Sequence, residues 1–133
     1  MSVSCEIYVG YTIEVETNLS HADFKKIHEF EDKYPEVDKY NYYCDDYEGR
    51  VLLIADGMCS DFARLIYVDK YIDGGSLGDS NEYFELAQPA GLEQSDKISK
   101  LCDYYCKYTG KSIADYTTEI QPKIKYAMWS LWG

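Results

Sequence analysis

Residues 3–16 read VSCEIYVGYTIEVE, and their alternation decides the class of fold. Val3, Cys5, Ile7, Val9, Tyr11, Ile13 and Val15 take every odd position, while Ser4, Glu6, Tyr8, Gly10, Thr12, Glu14 and Glu16 take the even ones. Side chains of a strand point alternately to its two faces, so this spacing predicts a long strand with one face on a core and the other in water. Gly10, on the face expected to be wet, is a place where a bulge or bend can enter.

A helix is expected next. Ser20 can cap it, Asp23 is an acidic first-turn residue three positions on, and Leu19 can staple against Phe24. Phe24, Ile27, Phe30 or Glu31, and Tyr34 keep the helical period until Pro35 stops it. Residues 36–50, EVDKYNYYCDDYEGR, are a polar and aromatic connection, with a short strand expected at 40–44 and a turn at 46–49. The apolar runs 51–55 and 62–68 flank a hairpin loop. The run DGGSLGD at 73–79 reads as a loop and 82–87 as a shorter strand.

A second helix is expected over 94–108, burying Ile98, Leu101, Cys102 and Tyr105 and ending at Gly110, with Lys107 and Lys111 near its negative end. Beyond Pro122, residues 123–132 form a last strand, on which Trp129 and Trp132, three apart, point to opposite faces. Strand, helix, several strands, helix, strand, joined by hairpin-length loops, imply an α+β fold. Its sheet is mostly antiparallel, about five to six strands wide, with two helices in a single layer on one face. At 133 residues, with no internal repeat or linker, the chain is expected to form one domain over 1–133.

Composition narrows the function classes. There are 24 Asp and Glu against 13 Lys and Arg, a net charge of −11. Nucleic acids are gripped through cationic side chains, so direct binding to them is not expected, nor is docking on an anionic membrane. Residues 1–16 have no basic leader, and Glu6 interrupts their apolar pattern, so no signal peptide is expected. The five cysteines, Cys5, Cys44, Cys59, Cys102 and Cys106, are odd in number and irregularly spaced. They read as reduced thiols of a cytoplasmic protein in a bacterial or other host cell. Cys102 and Cys106 lack a second pair at ligand spacing, so Cys102 reads as a small core residue and neither metal nor cofactor is expected.

The charge is unevenly spread. Residues 1–96 hold 21 acidic and 7 basic side chains, a net of −14, and residues 97–133 hold 3 and 6, a net of +3. Within 29–48 stand Glu29, Glu31, Asp32, Glu36, Asp38, Asp45, Asp46 and Glu48 against Lys33 and Lys39, interleaved with Phe30, Tyr34, Tyr40, Tyr42, Tyr43 and Tyr47. Tyrosine supplies broad, fairly rigid contact area with a polar tip, and a negative patch speeds encounter with a basic partner. The expected binding residues are Tyr40, Tyr42, Asp45, Asp46, Tyr47 and Glu48, with Asp69, Asp73 and Asp79 as extensions. The expected partner is a basic protein, such as an enzyme that handles nucleic acid. In size, acidity and lack of catalytic motifs the whole chain resembles the small inhibitors of phages and other mobile elements, including DNA-mimic anti-restriction and anti-CRISPR proteins. That resemblance implies a non-enzymatic inhibitor that blocks a nucleic-acid groove.

Catalytic arrangements fit less well, and no catalytic residue is assigned. A calcium loop starting at Asp45 would need Gly where Arg50 stands. His21 and His28 share one face of the first helix, but nothing ties them to Cys59. Asp56 and Asp61 could pair at the ends of their loop, as a small hydrolase or a small-molecule binder would require, and with 24 acidic residues such pairs arise by chance. The glycines of 74–78 lack the Lys of a phosphate cradle. A third reading is a structural subunit or homodimer, drawn together by the −14 and +3 segments with Lys123 and Lys125 facing a sister's acids.

Overall fold

The computed structural model describes residues 5–38, 47–56, 62–75 and 82–132. Strand β1 (Cys5–Glu16), helix α1 (His21–Lys33), strands β2 (Val51–Asp56), β3 (Phe62–Gly75) and β4 (Glu82–Leu86), helix α2 (Gln94–Thr109) and strand β5 (Lys125–Trp132) follow in chain order. The strands form one antiparallel sheet in the order β2-β3-β1-β5-β4, an α+β fold. No described helix is long and apolar enough to cross a membrane.

β1 lies in the middle of the sheet, and side chains pack on both of its faces. On the helix side, Tyr11, Ile13, Leu53 and Leu65 pack with Ile27 and Phe30 of α1 and with Leu101, Cys102, Tyr105 and Tyr108 of α2. On the other side, Tyr8, Leu52, Ile54, Ile66, Val68 and Trp129 form a second cluster, each no more than 1% exposed. This corrects the expectation of a wet even-numbered face, since Tyr8, Gly10 and Thr12 are all buried. Alternation showed only that β1 has two kinds of face. Leu52, Ile54, Ile66 and Val68 of the neighbouring strands, together with Tyr8 and Trp129, build a second core on the less apolar one. Each fully buried aliphatic or aromatic side chain stabilises by about 1.5–3 kcal/mol, so both layers matter to the fold.

The two sides are kept in step by a bulge. Val9 pairs with Lys70 and Gly10 with Val68, which leaves Asp69 as an extra residue in β3. Before the bulge Tyr67 pairs with Tyr11 and packs against the helix-side core, whereas beyond it Tyr71 pairs with Tyr8 and joins the opposite cluster. Opposite the bulge the backbones come close: a Cβ on Gly10 would lie 1.7 Å from the Tyr67 carbonyl oxygen. Glycine is needed there for space.

The helix boundaries follow local chemistry. The Ser20 hydroxyl accepts from the Asp23 amide while the Asp23 carboxylate accepts from the Ser20 amide, a complete capping box. Helix α1 ends before Pro35, where a 3-10 turn (Pro35–Val37) buries Val37. Helix α2 ends at Gly110, left-handed at φ 76°, as its sequence predicts. Tyr108 joins the buried face expected for α2, while Ile98 is only partly buried.

Two further differences concern extent. β3 does not stop at 68 but continues to Gly75, because β1 offers paired positions as far as Cys5. Asp73 and the two glycines after it therefore belong to a strand where a loop was expected. Residues 113–122, to which the sequence assigns no element, and Lys123, expected to open the last strand, form three consecutive short helical turns (Ile113–Asp115, Tyr116–Ile120 and Gln121–Lys123) that seat Ile120 in the core, so β5 begins only at Lys125. The strand expected at 40–44, most of the 56–61 loop and the second half of the 73–79 loop lie outside the described residues.

Candidate interaction surface

Tyr47 and Glu48 enter β2 through a turn in which the Arg50 amide donates to the Tyr47 carbonyl, with Gly49 at φ 82°. The Gly49 amide donates to the Val68 carbonyl, and the Val68 amide donates to the Arg50 carbonyl, so this turn is stitched to β3 beside the bulge. Tyr47 thereby comes down on the face opposite the helices. Its ring centre lies 4.9 Å from that of Tyr71 and 6.1 Å from that of Tyr8, and the Tyr8 and Tyr71 centres are 5.3 Å apart. Across the sheet the row runs on through Trp129 to Tyr83, paired in register over four strands.

Carboxylates border the rings. The Tyr8 hydroxyl donates to Glu6 Oε2 at 2.9 Å, and the Tyr71 amide donates to exposed Glu48 at 3.4 Å. Burial, followed by the Glu6 charge, pushes the Tyr8 phenol well above its usual range, so that hydroxyl stays a donor. The corner formed by Glu6, Tyr47, Glu48 and Tyr71 offers acid beside half-buried ring. Glu6 and Tyr71 were missed by the sequence reading: Glu6 is one of many acids on an alternating strand, and Tyr71 reaches this face only through the bulge.

Asp69 faces the other way. Its carboxylate accepts from Lys97 of α2 at 2.6 Å and from the Tyr126 hydroxyl at 2.8 Å. Burial works to raise its pKa, but the two hydrogen bonds and the lysine charge outweigh burial and hold it below the usual carboxylate range. Nearby, the Tyr11 hydroxyl donates to Gln94 at 2.8 Å. These contacts fasten α2 to the bulge through Asp69, whereas Glu48, in the turn before β2, accepts from the Tyr71 backbone. The backbone of Asp73 pairs with Glu6. Tyr40, Tyr42, Asp45, Asp46 and Asp79 lie outside the described residues.

The aromatic residues earlier in the acidic stretch mostly join the two helices. Phe30 is buried, with its ring centre 4.8 Å from Tyr34 and 5.1 Å from Tyr108. Lys107 lies 5.2 Å from the Tyr34 ring and 4.9 Å from the Tyr104 ring. The Tyr104 hydroxyl donates to Glu36 at 3.0 Å, and burial followed by that bond raises its pKa to about 12. Outward from this seam Glu29, Asp32, Glu36 and Asp103 are exposed.

Chemistry of other kinds finds these placements. His21 and His28 are exposed on α1, with His28 Nδ1 3.9 Å from Glu31. Burial pushes the Cys102 thiol up to about 11 and raises that of Cys106, which makes both poor nucleophiles. Cys59 and Asp61 lie outside the described residues. Among the described residues no three His, Cys, Asp or Glu side chains gather as metal ligands. A cleft of about 660 Å³ at the end of β1 brings together Arg64, Lys111, Lys123 and Lys125 with Glu14, Glu16 and Glu85. Two of its cations are already matched, Arg64 with Glu14 at 3.3 Å and Lys111 with Glu119 at 2.9 Å. Compared with protein-family models, curated proteins and solved structures, the chain matches none.

Proposed function

We propose that the protein is a non-catalytic interaction domain that docks carboxylates and tyrosine rings onto a basic surface of another protein. The observation that carries this reading is the corner where Glu6 and Glu48 border the Tyr47–Tyr71 ring pair, in a chain of net charge −11. Rings at an interface bury apolar area at little entropic cost, and flanking acids steer a cationic partner and repel phosphate-bearing competitors. The basic grooves of nucleic-acid-handling enzymes have the complementary charge. In its finer form the proposal is an inhibitor that takes the place of DNA in such a groove, of the kind phages and mobile elements encode against restriction or CRISPR systems.

The test is capture of partners from cells on the immobilised protein, beside a Glu6→Lys, Glu48→Lys variant. A basic protein retained by the parent, released by salt and displaced by duplex DNA, and lost from the variant, supports the reading. Equal retention by parent and variant, or a retained protein that DNA does not displace, overturns the groove-blocking form.

A further inference from the structure

The two edges of the sheet are built differently. Val51, Leu52, Leu53 and Ile54 of edge strand β2 are each 3% exposed or less, so that edge is covered on both faces. On the other edge, Phe84 and Leu86 of β4 are 47% and 45% exposed, and among the described residues no strand pairs with the outer side of β4. A strand edge with free backbone groups and large apolar side chains is a template for another strand.

The pairing of β4 with β5 assigns its faces. Phe84 and Leu86 stand beside Met128 and Tyr126 on the helix side, and the helices do not reach over them. Inward from the edge the apolar surface continues from Met128 to Val9. On the opposite side Tyr83 and Glu85 stand beside Trp129 and Ala127. The Arg64 guanidinium, paired with Glu14 at 3.3 Å, also sits with its carbon 4.0 Å from the centre of the Tyr83 ring.

We propose that two copies of this chain join through β4, antiparallel about Phe84, into one sheet that runs through both. In this register Phe84 meets Phe84 of the second copy, Leu86 stands opposite position 82, and Glu85 stands opposite Tyr83. Each Glu85 carboxylate then approaches a ring that carries the guanidinium of Arg64, and two-fold symmetry makes the contact twice. No two acidic positions face each other. Moving the centre one residue, to Glu85, would set Glu85 against Glu85, and like charges directly opposite destabilise a strand pair. The doubled approach of Glu85 to the Tyr83 ring and its guanidinium argues for a second copy as the occupant, and like charge disfavours the register centred on Glu85. The association is independent of the basic-partner reading and differs from attraction between the −14 and +3 segments, because apolar contact and main-chain hydrogen bonds survive salt.

Sedimentation velocity across a concentration series, at low and high salt, tests it. The expected result is a dimer whose strength changes little with salt. Glu85→Arg, which sets an arginine against Arg64 of the second copy, should weaken it about tenfold or more. Phe84→Lys should abolish it with circular dichroism unchanged, whereas Leu92→Lys, at a residue 95% exposed and outside β4, should leave it intact. A monomer at every concentration, a dimer that dissolves in salt, or one indifferent to both Phe84→Lys and Glu85→Arg overturns the proposal. If Phe84→Lys fails to fold, Glu85→Arg decides alone.

Discussion

Gly10 and Tyr67 meet backbone to backbone: a methyl group on Gly10 would stand 1.7 Å from the Tyr67 carbonyl oxygen and its carbon 3.0 Å from the Asp69 amide nitrogen. Neither atom belongs to a side chain that could swing aside. Overpacking usually costs about 1–3 kcal/mol, and a clash with fixed backbone belongs at or beyond the upper end. Gly10→Ala is therefore expected to lower stability by about 3 kcal/mol or more, measured by urea denaturation. A loss below about 1 kcal/mol would mean that the bulge shifts to make room.

That contact marks where sequence reading reaches its limit. The alternation of β1, the Ser20–Asp23 cap, the stop at Pro35 and Gly110 at the end of α2 are local patterns, and each is where its residues predict. The bulge is non-local: it depends on which residue of β3 falls opposite Gly10, and pairing partners are not written in either strand alone. Everything downstream of it was correspondingly hidden, including the burial of Tyr8 and the turn of Tyr71 to the same face. Among the candidate site residues the acid-and-tyrosine composition singled out Tyr47 and Glu48 but could not tell them from Asp69. Sequence records charge, whereas the direction of a carboxylate depends on strand register.

Asp69 and Glu48 should accordingly separate by mutation. Asp69→Asn removes the charge that Lys97 and Tyr126 share, and leaving a part-buried lysine without its counter-ion is expected to cost about 1–3 kcal/mol. Glu48→Gln, at an exposed carboxylate, should change stability by no more than about 0.5 kcal/mol. Denaturation of the two variants in parallel checks this. Equal effects would show that the bulge does not depend on its tie to α2.

The same cluster sets a pH dependence with a definite sign. The Asp69 pKa is lowered on folding, so its contribution is present above the ordinary carboxylate range and is lost as acid brings the pH down through the folded value. The Lys97 pKa is raised, first by its hydrogen bond to Asp69, so its contribution is present below the ordinary lysine range and is lost as pH climbs through the folded value. Melting temperature followed against pH should fall at both extremes, and Asp69→Asn should flatten both flanks. Unchanged flanks would assign the dependence to other groups.

Tyrosine titration offers a readout of the ring network itself. Burial, followed by a bond to Asp69, raises Tyr126 to about 12, and burial followed by a bond to Glu36 raises Tyr104 to about 12 as well. A phenol whose pKa is higher folded than unfolded keeps its full stabilising effect below its ordinary value of about 10 and loses it as pH rises from there. Ultraviolet absorbance of phenolate should thus show a late stage, well above a pH of about 10, that coincides with loss of far-ultraviolet dichroism. Tyr126→Phe should shrink the late stage. One smooth rise near the ordinary value, with the fold intact, would show the rings to be open to water.

Trp129 provides the sharpest test of the second core. It is 1% exposed on the face opposite the helices, in register with Tyr8 on one side and Tyr83 on the other. Were that face solvated, as its alternation first implies, truncating the indole would cost little. With the row packed, Trp129→Ala empties a space that neighbours on the sheet cannot close, and the expected loss is about 3–5 kcal/mol. Leu92→Ala, at an exposed residue of comparable hydrophobicity, should stay within about 0.5 kcal/mol. The comparison separates burial from hydrophobic character, because only the tryptophan has neighbours to lose. A Trp129→Ala loss as small as that of Leu92→Ala would reduce the molecule to one core, and with it would go the rigid ring platform on which Tyr47 and Glu48 are held.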